Sequence, residues 1–341
     1  MLRKVILGAI IIIVTLLIWQ HKLFYYGYVQ AKGQLTIIWN AKPLNDFLED
    51  ETYPDSLKNK LRFVQEVKQF AFDELGFSYT ENYSSMYDQK GVPLMWVVMA
   101  CQPYSLEAYL WKFPIIGSFP YKGFFSAEMA KDEYKKMKSK GLDVGVRNPG
   151  GWSTLGWFND PILSEMLDRS YGQLAELIIH ELTHSTIFVK DSVTFNENLA
   201  SFIGHHGTIL FLKNSYPDKP YYLEEYMEEE KRYELFVQHF IRGASQLDSL
   251  YMGFTDDLKA ENKQQLKTDL IESIIQNIDT LQVKDPQKLK DNFTELPNNT
   301  YFMSFLRYRS KQADFDKILT SEFGGDIRSF IEYYKLNYPF L

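Results

Sequence analysis

Apolar positions in this chain change period along its length. In residues 29–90 the stretches GQLTIIWNAKPLNDFLED and SLKNKLRFVQEVKQFAFDELGF place apolar side chains three or four residues apart, with Pro43 and Pro54 as breaks. That spacing predicts helices. In residues 91–160 the period shortens. VPLMWVVMACQPY is a compact apolar run suited to a buried strand, GSFPYKGFF is rich in turn formers, and LDVGVRNPGGWSTLGWF alternates around a Pro-Gly-Gly turn. Between them SAEMAKDEYKKMKSKG reads as an amphipathic helix ending at Gly141. From Ser170 onward the chain is nearly all helical. Ser170, followed three residues later by Gln173, is a capping-box start, so SYGQLAELIIHELTHSTIFV predicts a helix over about 171–189. The acidic run EEYMEEEKRYEL (224–235) is a solvated helix face, and NFTELPNNT (292–300) is a loop before the last helices. The fold class is therefore α+β and predominantly helical, with a small sheet ahead of the helix that carries the histidines.

One apolar stretch stands apart. Residues 5–19, VILGAIIIIVTLLIW, follow Arg3 and Lys4. As a helix they span about 22 Å, short of a hydrocarbon core of about 30 Å. Trp19, Lys22 and the apolar LFYYGYV (23–29) extend the reach to the interface. With no small-residue cleavage signal after it, the segment reads as an uncleaved signal anchor over 1–28. A cleaved signal peptide and a buried helix are the alternatives. Arg3 and Lys4 keep the N-terminus cytoplasmic and send residues 29–341 to the other face of the membrane; His21 and Lys22 weaken that bias. Within 29–341 the expected division is helical (29–90), sheet-containing (91–160) and helical with the metal site (170–341).

Composition adds limits. The 341 residues are 45% hydrophobic and 24% charged, which is ordinary for a globular chain. The net charge is −7 and no basic run is present, so nucleic acid is excluded as a partner. Cys101 is the only cysteine, which rules out an intrachain disulfide and any thiolate metal cluster.

The chemistry concentrates in HELTHSTIFVKDSVTFNENLASF, residues 180–202. His180 and His184 lie four helical steps apart and so point to one side. Two imidazoles so placed can hold one Zn²⁺. Glu181 is turned about 100° from His180, suited to act as general base toward a metal-bound water rather than as a ligand. The helix is apolar on nearly every side, and its polar groups need partners that a metal would supply. A histidine third ligand of the H-E-x-x-H-x-x-G-x-x-H kind is excluded, because Ile187 and Lys190 stand at the required positions. Glu197 is the next candidate, reached after a turn at 190–192. The alternative for Glu197 is a helix cap, since Thr194-x-x-Glu197 is itself a capping box. Asn196 and Asn198 flank it, and small Ala200 and Ser201 favour close helix approach. His205 and His206 read as structural.

These residues and five further blocks resemble a known family. HELTH, FPIIGSFPYKGFF, KGLDVGV, WSTLGWFNDPIL, FNENLASFIGHHG and NNTYFMSFLRYRSKQADF stand in order from about residue 25 to the C-terminus. Together they resemble the bacterial putative zinc aminopeptidase family, of the zincin superfamily with a glutamate third ligand. The resemblance implies a zincin-like, membrane-associated or exported metallopeptidase using Zn²⁺ on a peptide substrate, with His180, His184 and Glu197 as ligands and Glu181 as base. It also implies an oxyanion donor from the C-terminal region, for which Tyr308 is the candidate. A strand before the active-site helix is expected to pair with an extended peptide, which points to Ser153, Thr154, Leu155 and Gly156; a strand in the sheet interior is the alternative. Members often carry an early lipoprotein cysteine where this chain has an apolar segment. Ser201 stands where related zincins have an aspartate, and no G-x-M-E-N stretch is present. The competing reading is a catalytically inactive, zinc-binding, membrane-tethered interaction protein.

Overall fold

The computed structural model describes residues 20–113, 117–149, 158–190, 192–281, 286–291, 293–309 and 311–339. The signal anchor falls mainly on residues outside that set. Among the described residues no helix is long and apolar enough to cross a membrane. The described chain starts in helix α1 (His21–Asn40), whose first turns leave Leu23, Phe24, Tyr25 and Tyr28 exposed.

The fold is α+β and mostly helical. Helix α2 (Asp55–Asp73) shows why the early periodicity holds: Leu61, Val64, Val67, Phe70 and Ala71 all face inward on one stripe. The main sheet has three antiparallel strands. Strand β1 (Trp96–Cys101), the apolar run, lies in the centre, between β2 (Tyr121–Phe124) and β3 (Asp143–Arg147). The stretch GSFPYKGFF, expected as turn-rich, contributes β2 and a short strand Gly117–Phe119 that pairs with Trp111–Phe113. Its aromatic residues supply the β propensity that outweighs the glycines. Helix α3 (Ala127–Lys138) covers this sheet, capped at Ser126, and Gly141 follows at φ +75°, a conformation that favours glycine. Three short strands (Lys42–Pro43, Ser85–Tyr87, Ile162–Leu163) make a second small sheet under the helices.

The helical half begins at α4 (Tyr171–His184), where the Ser170 hydroxyl accepts the Gln173 N–H at 3.3 Å as the capping box requires. The helix ends at His184, not at Val189. Ile187 and Phe188 leave it to pair with the tail: Ile187 bridges Pro339, and the Phe188 N–H donates to the Tyr338 carbonyl at 3.0 Å. Tertiary pairing thus overrides helix continuation in a β-branched, aromatic stretch. Helix α5 (Val193–Ser215) folds back along α4, and the long α6 (Tyr221–Met252), α7 (Ala260–Gln276), α8 (Asn299–Arg309), α9 (Gln312–Phe323) and α10 (Ile327–Asn337) complete the bundle. Helices α2, α4, α5, α9 and α10 share the largest core. A second core, centred on Phe240, Phe302 and Phe305, joins α6, α7 and α8.

Candidate metal centre

Two helices bring the three expected ligands to one point. On α4 the i, i+4 spacing places the Nε2 atoms of His180 and His184 3.2 Å apart, with the rings nearly perpendicular at 84°. From α5, Glu197 Oε2 lies 3.4 Å from His180 Nε2 and 3.6 Å from His184 Nε2. Among the described residues these three form the group able to hold a metal ion. Tetrahedral zinc with ligands at about 2.0–2.1 Å requires donor–donor edges of about 3.3–3.4 Å. The observed triangle of 3.2, 3.4 and 3.6 Å fits that face. Helix α5 begins at Val193 rather than after Thr194, with Ser192 at its N-cap and no cap bond from the Ser192 side chain.

Electrostatics complete the donor set. Burial alone would raise the Glu197 carboxyl, but the imidazoles of His184 and His180 outweigh it and hold the group far below the usual carboxylate range. Burial would lower His184, and Glu197 reverses the direction and raises it. Two imidazoles and one carboxylate are borderline ligands that suit zinc. The three side chains remain 15%, 19% and 17% exposed, so the cluster is not fully sealed from solvent.

The surroundings fix the geometry. Gly204 lets the helices close: a Cβ there would lie 3.1 Å from the Glu176 carbonyl oxygen and 3.4 Å from His180 Cβ. The Ser201 hydroxyl stands 3.5 Å from His180 Nδ1. Asn196 clamps the connection between the two helices, its side chain accepting from the Val189 N–H at 2.9 Å and donating to the Val189 carbonyl at 2.8 Å. Asn198 accepts the Lys311 N–H at 2.9 Å, which ties the start of α9 to α5.

Glu181 is half-buried on α4, and its charge reaches two groups that the sequence did not single out. Tyr83 is 1% exposed, and burial, then Glu181 and Asp160, push its hydroxyl well up. Arg169 is lowered by burial, against the attraction of Glu181 and Asp168. Tyr83 sits at φ +62°, and its N–H donates to the Asp160 carbonyl at 2.6 Å. Asn82 links this loop to α4 by donating to Ser185 Oγ at 3.0 Å and accepting from the Asp160 N–H at 3.0 Å. Nothing local in ENYSS marks Tyr83 among 23 tyrosines; only the folded chain places it here.

Other candidates lie elsewhere. His205 Nδ1 meets the Tyr226 hydroxyl at 2.9 Å and Glu230 at 3.6 Å, and His206 meets Asp316 at 3.1 Å. Ser153, Thr154, Leu155 and Gly156 lie outside the described residues. Tyr308 belongs to α8, but its side chain lies outside the described part.

Searches of curated proteins and of solved structures return no match. A family model described as putative aminopeptidase matches residues 25–336. With nearly the whole length covered, the chain belongs to the putative aminopeptidase family.

Proposed function

We propose that this protein is a zincin-like, zinc-dependent peptidase, tethered by residues 5–19, with its catalytic part on the non-cytoplasmic face of a bacterial membrane. The observation that carries the reading is the partly exposed His180–His184–Glu197 triangle, whose edges fit one face of a zinc tetrahedron. Membership in an aminopeptidase family supports the same reaction class.

His180, His184 and Glu197 would hold the ion. When bound, the ion would polarise the scissile carbonyl and acidify the attacking water. The residues supply the rest. Glu181, next to His180 but turned off the ligand face, takes the proton from the attacking water and returns it to the leaving amine. Ser201 fixes the His180 ring from its Nδ1 side. Tyr83 and Arg169, whose ionisation Glu181 influences, hold the surroundings of that carboxylate.

Glu181→Gln tests the proposal. The variant is expected to keep its metal, measured by elemental analysis, and to lose peptide cleavage by about 100-fold or more, the scale of general base catalysis. Metal retained with undiminished cleavage removes Glu181 from the mechanism. A wild type that binds metal and cleaves no peptide supports the interaction protein instead.

A further inference from the structure

Helix α1 (His21–Asn40) carries apolar side chains on two opposite faces. The inner face is fastened to the folded body. The Tyr26 hydroxyl donates to the Gly123 carbonyl at 2.9 Å, and the Tyr26 ring lies 5.5 Å from that of Phe124 on β2 and 6.3 Å from that of Phe113. Gly33 lies directly against the Phe125 ring, which leaves no room for a Cβ. Ile37, one turn further on, is buried.

The outer face is exposed. Phe24, Tyr28 and Trp39 are 52%, 62% and 76% exposed, with Leu35 partly exposed between them. At about 100° per residue these four fall within about 60° of one another, on the side away from Tyr26, Gly33 and Ile37. The stripe runs about 22 Å along the helix axis. Three observations point to what covers it. The apolar stretch of residues 5–19 ends just before the helix, so this face stands next to any bilayer that stretch enters. Tyrosine and tryptophan, with an apolar ring and a polar tip, favour the boundary between hydrocarbon and headgroups. The helix contains no Asp or Glu and carries Lys22 and Lys32, in a chain of net charge −7, so it presents no carboxylate to anionic headgroups.

Resting on the tether proposed above, we infer that the outer face of α1 is a membrane-docking surface: the helix lies along the bilayer, with Phe24, Tyr28, Leu35 and Trp39 in its interfacial layer. Because the inner face of the same helix is fastened to the sheet through Tyr26, the folded body is held against the lipid surface in one orientation instead of swinging on its tether.

Trp19 and Trp39 report the tether and the docking face separately. The test uses the full-length protein reconstituted into vesicles of phosphatidylcholine and phosphatidylglycerol, with and without bromine near the top of the acyl chains, where it quenches tryptophan on contact. The emission lost in Trp19→Phe isolates Trp19, and the emission lost in Trp39→Phe isolates Trp39. The expected result is that brominated lipid removes most of both contributions. In the Phe24→Glu, Tyr28→Glu double variant, changed at two exposed positions and checked for fold by circular dichroism, the quenching of Trp39 should disappear while that of Trp19 persists. Trp19 quenched and Trp39 unquenched in the wild type overturns the inference and leaves the tether standing; if Trp39 is then also shielded from acrylamide in the water, a second copy of the chain covers the face instead of lipid. Undiminished quenching of Trp39 in the folded double variant also overturns the inference. An unquenched Trp19 overturns the tether itself, and the inference with it.

Discussion

Asn198 offers a direct measure of how firmly the start of α9 is held to α5. It is fully buried. Its side-chain amide donates to the Thr194 carbonyl at 2.8 Å, and its oxygen accepts the Lys311 N–H at 2.9 Å. Its main-chain carbonyl accepts from Gln312 Nε2 at 3.1 Å. Asn198→Ala removes the two side-chain bonds. Each such bond contributes about 0.5–1.5 kcal/mol net, so the expected loss is about 1–3 kcal/mol. Asn198→Asp retains an acceptor for Lys311 but sets a carboxylate oxygen against the Thr194 carbonyl and adds charge beside Glu197. It should be at least as destabilising as the alanine. Gln312→Ala, which removes one half-buried bond, should cost less than either. Denaturant unfolding of the metal-loaded proteins gives the three values. Activity is expected to fall in the same order at native temperature, because the start of α9 loses its fastening to the residue after Glu197. An alanine variant within 0.5 kcal/mol of wild type, or an aspartate variant more stable than the alanine, would refute the reasoning.

Two further outcomes follow from buried ionisable groups. Glu133 accepts from Trp111 Nε1 at 2.9 Å and pairs with Lys122 and Lys136; burial opposes its ionisation, but these partners win and lower its carboxyl. Its contribution to stability is therefore present above the unfolded value of about 4.3 and lost as pH falls through the lower folded value. Glu133→Gln should flatten the acid limb of a stability-versus-pH curve measured by denaturant unfolding. The Cys101 thiol, buried and beside Asp143, is pushed up to about 12, burial being the larger cause. It should not react with a chromogenic disulfide reagent at pH 8 until the protein is unfolded; rapid labelling of the native protein would contradict its placement.

Local signals in the sequence carried the ligand helix well. The capping pair Ser170 and Gln173 fixed its start, and four residues of helical spacing were enough to align His180 with His184. Glu197 was legible as a residue within reach of a returning helix, and its distances to the two rings add it to a group that could hold a metal. The end of α4 was missed because Ile187 and Phe188 answer to partners about 150 residues away. Tyr83 and Arg169 were invisible for a related reason. Each depends on segments brought together from distant parts of the chain, and neither has a residue pattern of its own.

The pairing of Ile187 and Phe188 with Tyr338 and Pro339 sets an order of completion. The histidine-bearing helix leaves the ribosome more than 140 residues ahead of the segment that steadies its exit. Until that segment arrives, the link between the two helices that carry His180, His184 and Glu197 lacks this pairing, so a growing chain should hold metal weakly and cut little. Comparing metal affinity in chains ending at residue 325 and at residue 341 would reveal this timing: equal affinities would mean that the late segment is a bystander.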